Sequence, residues 1–126
     1  MEPPSSSSRA VARWIARGLA ADFVLLWGVF FLHHLDEWYL RPDSFPPAHV
    51  TGLMLLHFGL LAGLVAGFRW EMAGGLLTVA CGAAFFGLIG AWNIWHLWVP
   101  TLVPGLIWLG LGLQKTRPVT GASGPN

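Results

Sequence analysis

HVTGLMLLHFGLLAGLVAGF, residues 49–68, is apolar throughout apart from His49, Thr51 and His57. At 1.5 Å of rise per residue such a stretch forms a helix about 30 Å long, the thickness of a bilayer's hydrocarbon core. Arg69, Trp70 and Glu71 follow, and a second apolar stretch, 72–92, begins at once. Three polar residues between two spans leave room only for a tight helical hairpin. Upstream, 18–35 is interrupted only by Asp22, His33 and His34, and downstream 97–113 ends before Gln114, Lys115 and Arg117. The pattern predicts an all-α membrane protein with four transmembrane helices in an antiparallel bundle.

Composition agrees with that pattern. Of 126 residues, 55% are hydrophobic and 10% charged, whereas soluble domains carry about 25% charged residues. The net charge of +1 provides no basic surface that would track a phosphate backbone, so nucleic acid is not an expected partner. Cys81 stands alone, which excludes an internal disulfide or a multi-cysteine metal site.

Residues 1–9, with Pro3, Pro4 and four consecutive serines, read as a flexible tail, and 10–114 as a single domain. Residues 115–126 close the chain as a second tail. Prolines 42, 46 and 47 mark the segment between the first two spans as an exposed loop. The fourth span carries Pro100 and Pro104 and begins near Leu97 or kinks at Pro104. Placing connections on alternate sides puts Arg9, Arg13, Arg17, Arg69, Lys115 and Arg117 on one face and Arg41 alone on the other. The positive-inside rule then predicts cytoplasmic termini and an inner-membrane location. Trp14 and Trp70 fall at the inner interface, and Trp38, Tyr39, Trp92, Trp95 and Trp98 at the outer one, as aromatic belts require.

Lipid supplies no hydrophobic drive between helices, so association depends on small residues and interhelical hydrogen bonds. Gly52, Gly59, Gly63 and Gly67 form a stripe on the second span, echoed on the third by Ala83, Gly87 and Ala91 at four-residue spacing and by Gly75 and Gly82 seven apart. A close hairpin between these spans is the expected packing; the same stripe also suits a second copy or another subunit.

The Arg-Trp-Ile-Ala-Arg opening at 13–17, His57, the Arg69-Trp70-Glu71-x-x-Gly74-Gly75 hairpin and Pro104-Gly105 resemble a family of small four-helix bacterial membrane proteins. The resemblance covers about residues 9–114 and implies the same topology, with no assigned activity. The Pro-rich outer loop and the outer histidines depart from that family's pattern.

Ionisable groups inside a membrane are candidate functional sites by default. Asp22 lies only about 6 Å past the inner boundary, where pairing with Arg69 or Thr78 would pin the helices. The alternative makes Asp22 a ligand for a proton or cation conducted through an oligomer. His57 lies near mid-bilayer, on the face opposite the glycine stripe, where a neutral imidazole bonded to a neighbouring helix is the simplest role. Axial ligation of haem by His57 with His33 or His34 is the functional alternative, although His33 sits about 6 Å further along the membrane normal. His33, His34, Asp36, Glu37, His49 and His96 also share the outer plane, with ligand types that suit zinc, copper or iron. Adjacent His33 and His34 diverge by about 100° around a helix, which works against a shared metal.

No phosphate loop, nucleophile elbow or His-Glu-x-x-His is present, so an enzyme is not expected. The leading expectation is a polytopic protein without a cofactor that acts by helix packing. It would be an accessory or assembly partner of a membrane complex, or a self-associating bundle. A histidine-dependent haem or metal protein is the alternative.

Overall fold

The computed structural model describes residues 2, 4–40, 43, 45–118 and 124. Its helices are α1 (Ser6–Leu35), α2 (Ala48–Ala66), α3 (Glu71–Leu88) and α4 (Trp95–Thr116). A π-helical turn, Asp36–Leu40, extends α1, and a 3₁₀ turn, Ala91–Ile94, leads into α4. All four helices are long and apolar enough to cross a membrane, and the described residues contain no strand.

Local chemistry explains where the boundaries differ from expectation. α1 reaches into the serine run read as a tail, because the Ser5 side chain caps it by accepting from the Ser8 amide at 3.3 Å. The loop expected after Leu35 begins as a π turn that carries Trp38 onto the bundle. α3 stops at Leu88 rather than near Trp92, since Gly90 takes a left-handed conformation (φ +65°) that a side chain would strain. α4 runs from Trp95 through both prolines to Thr116. Arg41, Pro42, and positions 119–123, 125 and 126 of the tail lie outside the described residues.

The helices are arranged as a square. α3 packs extensively on α2 and α4, α1 closes the other side against α2 and α4, and α1 and α3 occupy a diagonal. Leu25, Val29, Leu55, Val65, Leu76, Leu88 and Leu106 point outward and are more than half exposed, the reverse of a bundle built for water. Inside, Ala16, Ala20, Leu60, Leu64 and Trp108 are fully buried.

Glycines determine how closely α3 approaches its neighbours. A Cβ built on Gly63 would stand 2.5 Å from the Thr78 amide nitrogen, and one on Gly59 2.5 Å from Cys81 Sγ. Gly74 lies against the Gly67 backbone, and Gly67 also receives the Trp108 indole of α4. On the other face of α3, a Cβ on Gly75 would meet the Gly105 carbonyl at 2.7 Å, and one on Gly82 the Leu102 side chain at 2.5 Å. The stripe expected to join α2 to α3 therefore joins α3 to α4 as well. Gly52 and Gly87 correct that expectation: a Cβ at either meets nothing within 4 Å, because both look outward.

Gly63→Leu is expected to wedge α2 from α3 and lower unfolding stability by at least about 2 kcal/mol, whereas Gly52→Leu will not lower it. Thermal unfolding in detergent, followed by circular dichroism, checks both.

Candidate functional site

Two of the cavities among the described residues open at opposite ends of the bundle. The first, about 270 Å³, is lined by Trp27, Phe30, His34 and Trp38 of α1 and its π turn, by Val50, Leu53, Met54 and His57 of α2, and by Phe85, Ile89 and Ile94. Its one deeply buried polar side chain is His57, 3% exposed. The imidazole meets Phe31 edge-on at 5.3 Å, Trp27 at 6.1 Å and Phe85, tilted, at 4.9 Å. The Trp27 backbone carbonyl is its polar neighbour on α1, while Nε2 has no hydrogen-bond partner. His57 shares the buried side of α2 with Met54, Leu60, Gly63 and Leu64 and faces α1 and α3, which corrects the expectation that it lies opposite the glycine stripe: the stripe packs on α3 as well.

His34 shares this cavity, with Nδ1 2.7 Å from the Phe30 carbonyl one turn back, whereas His33 does not line it. Successive positions on α1 separate the two imidazoles, whose rings stand 5.9 Å apart and nearly perpendicular. His49, His96 and Glu37 are exposed. Among the described residues no group of three or more His, Cys, Asp or Glu side chains could hold a metal ion. The candidate set of His33, His34, Asp36, Glu37, His49 and His96 therefore does not converge on one point.

Asp22 and Thr78, expected to pair, are apart. α1 buries Ala16, Ala20 and Trp27, and Asp22 lies on its opposite, exposed face. Thr78 is fully buried where α3 meets Gly63 and Gly105, and its Oγ1 has no partner. Arg69, the other proposed partner of Asp22, lies over the Trp70 ring at 5.9 Å. The buried interhelical bond that does form has no counterpart among the expectations from sequence: Trp27 Nε1 donates to Thr101 Oγ1 at 2.9 Å, and that hydroxyl donates to the Leu97 carbonyl at 2.8 Å. A tryptophan amid an apolar span and a threonine between two prolines were the available signals. Neither residue's partner is encoded locally.

The second cavity, about 840 Å³, lies at the end where α1 and α3 begin and α4 finishes. Its centre is Glu71, the first residue of α3, with its side chain only 11% exposed. Arg13 grips this carboxylate from α1 through Nε and Nη2, and Lys115 Nζ reaches it from α4 at 3.2 Å. One carboxylate therefore ties three helix ends, including the diagonal pair. Arg17 Nη2 donates to the Phe68 carbonyl at 3.1 Å, adding the α2–α3 turn to the same knot. Arg17 also lies over the Trp14 ring at 5.4 Å.

With this geometry in view, the chain can be placed. It belongs to a family described as a domain of unknown function, DUF7670, whose model matches residues 5–118. The match takes in all four helices and the residues of both cavities, and fits an uncharacterised, small, all-helical family. No curated protein and no solved structure matches the chain.

Replacing Thr101 with Val removes the acceptor for the buried Trp27 indole at nearly constant volume. We expect a loss of about 1–3 kcal/mol in unfolding stability and a shifted indole emission. Denaturation in detergent read by tryptophan fluorescence checks this.

Proposed function

We propose that this is an inner-membrane protein, with both termini cytoplasmic, that works by lateral helix packing as an accessory or assembly partner or as a self-associating bundle. One observation supports the reading above all. The face of α3 turned away from the bundle carries Ala73, Ala80, Ala83, Ala84 and Gly87, all exposed, alongside Leu76, Leu77 and Leu88. Its opposite face, Gly74, Gly75, Thr78, Gly82 and Phe86, is buried in the core. α3 thus has small residues on two sides, and only one is used among the described residues. In lipid, a smooth small-residue face gives a neighbouring helix van der Waals contact that a leucine-covered face does not. The cytoplasmic assignment of the termini follows from the basic side chains gathered at the end of the bundle where they lie.

A second reading, a histidine-dependent haem or metal protein, is favoured by the cavity shared by His57 and His34. Its consequence is a Soret band or stoichiometric metal in purified protein.

Lateral association is tested by cross-linking in native membranes and by size measurement in mild detergent. We expect Ala84→Leu with Gly87→Leu to leave helix content and unfolding unchanged and to reduce the cross-linked species at least about fivefold. Unchanged association in that variant, or a purified protein whose haem vanishes in His57→Ala, would reject the packing role.

A further inference from the structure

The cations of the 840 Å³ cavity are not matched by its carboxylates. Arg13, Arg17, Arg69 and Lys115 line it, and Glu71 is the only acidic side chain among the lining residues. Glu71 is already engaged by Arg13 and Lys115. Arg17 and Arg69 have no carboxylate partner among the described residues: Arg17 gives one hydrogen bond to a carbonyl, and Arg69 rests on Trp70. Arg17 Nε is buried without a partner. A guanidinium presents five donors in a planar fork, so most of the donor capacity of these two residues is unused.

Such an array suits a phosphate group, for which arginine forks are matched in geometry and charge. The surroundings favour a phosphate attached to a lipid. Trp14 and Trp70, 69% and 62% exposed, flank the two arginines, and Val11, Ile15 and Phe68 continue an exposed apolar surface beside them. Tryptophans at the headgroup level and apolar surface next to a phosphate-sized set of donors match the two halves of a phospholipid. The surplus of positive charge favours a headgroup that adds no cation of its own.

We propose that this cavity binds an anionic phospholipid, its phosphate held by Arg17 and Arg69 and its glycerol and acyl carbons lying along Trp14 and Trp70. Glu71 acts as the positioning residue, holding Arg13 and Lys115 back so that the lipid meets the unpaired arginines. The bound lipid bridges α1 to the α2–α3 turn, in parallel with the single hydrogen bond from Arg17 to Phe68.

The test uses the full-length protein in a neutral detergent, with dioleoylphosphatidylglycerol, dioleoylphosphatidylcholine or inorganic phosphate added at matched ionic strength. Lipid adducts are read by native mass spectrometry and stability by thermal unfolding. Phosphatidylglycerol should be retained preferentially and raise the unfolding midpoint, and added salt should weaken both effects. Arg17→Gln with Arg69→Gln should weaken phosphatidylglycerol binding by about twenty-five-fold, at about one factor of five per arginine. Arg69→Gln alone removes no contact within the fold beyond its own Trp70, so its partial loss of binding is free of any folding defect. Equal retention of phosphatidylcholine, or binding unchanged in both variants, would overturn the proposal. Inorganic phosphate that displaces the lipid or reproduces its stabilisation would overturn it in favour of a soluble-phosphate site.

Discussion

α3 touches its neighbours at the level of the backbone, and the rest of the structure depends on that proximity. Where Gly63 meets Thr78 and Gly75 meets Gly105, a single added carbon would stand 2.5–2.7 Å from main-chain atoms. In water, apolar burial would hold such helices together from a greater distance. In lipid, the gain comes from dispersion between closely fitted surfaces, so removing side chains from the contact strengthens it. The same closeness leaves Thr78 buried without a partner for its hydroxyl and brings the Trp108 indole against Gly67.

Charge is arranged around this contact rather than within it. The α1–α3 diagonal is too wide for backbone approach, and the Glu71 carboxylate closes it at one end through Arg13, while Lys115 joins from α4. Towards the other end, aromatic rings cross the same diagonal: Trp27 lies 5.2 Å from Phe86 and also donates to Thr101 on α4. Each end of the bundle is left with a cavity of distinct chemistry. One holds a single buried imidazole among aromatic rings, and the other holds unpaired arginines beside exposed tryptophans.

Much of this was readable from residue order because membrane spans carry their signal in local composition. The apolar run 49–68 and its three-residue turn required a hairpin, and Gly59, Gly63 and Gly67 marked the face it uses. Pairings between helices distant in sequence were not readable. Asp22 sat at a plausible depth for Thr78, yet depth carries no information about helix rotation, and α1 turns Asp22 outward. Gly87 follows Ala83 at four-residue spacing but lies on the face that meets no other helix among the described residues. Glu71 looked like an ordinary turn acid, since Arg13, 58 positions earlier, and Lys115, 44 later, converge on it only in the folded bundle. The His33 to His96 cluster failed for the opposite reason: a level shared in the expected topology does not bring side chains together.

Cys81 provides the most direct measurement of the glycine contact. A Cβ at position 59 would lie 3.3 Å from Cys81 Cβ, close to the separation that a disulfide requires. Gly59→Cys is oxidised in membranes, and the free thiols are then counted with a maleimide mass tag. We expect an intramolecular disulfide that removes both thiols without forming dimers, and two free thiols in a Gly52→Cys control. Free thiols at 59 and 81 after oxidation, or disulfide-linked dimers in their place, would contradict a bundle in which α2 and α3 meet through these glycines.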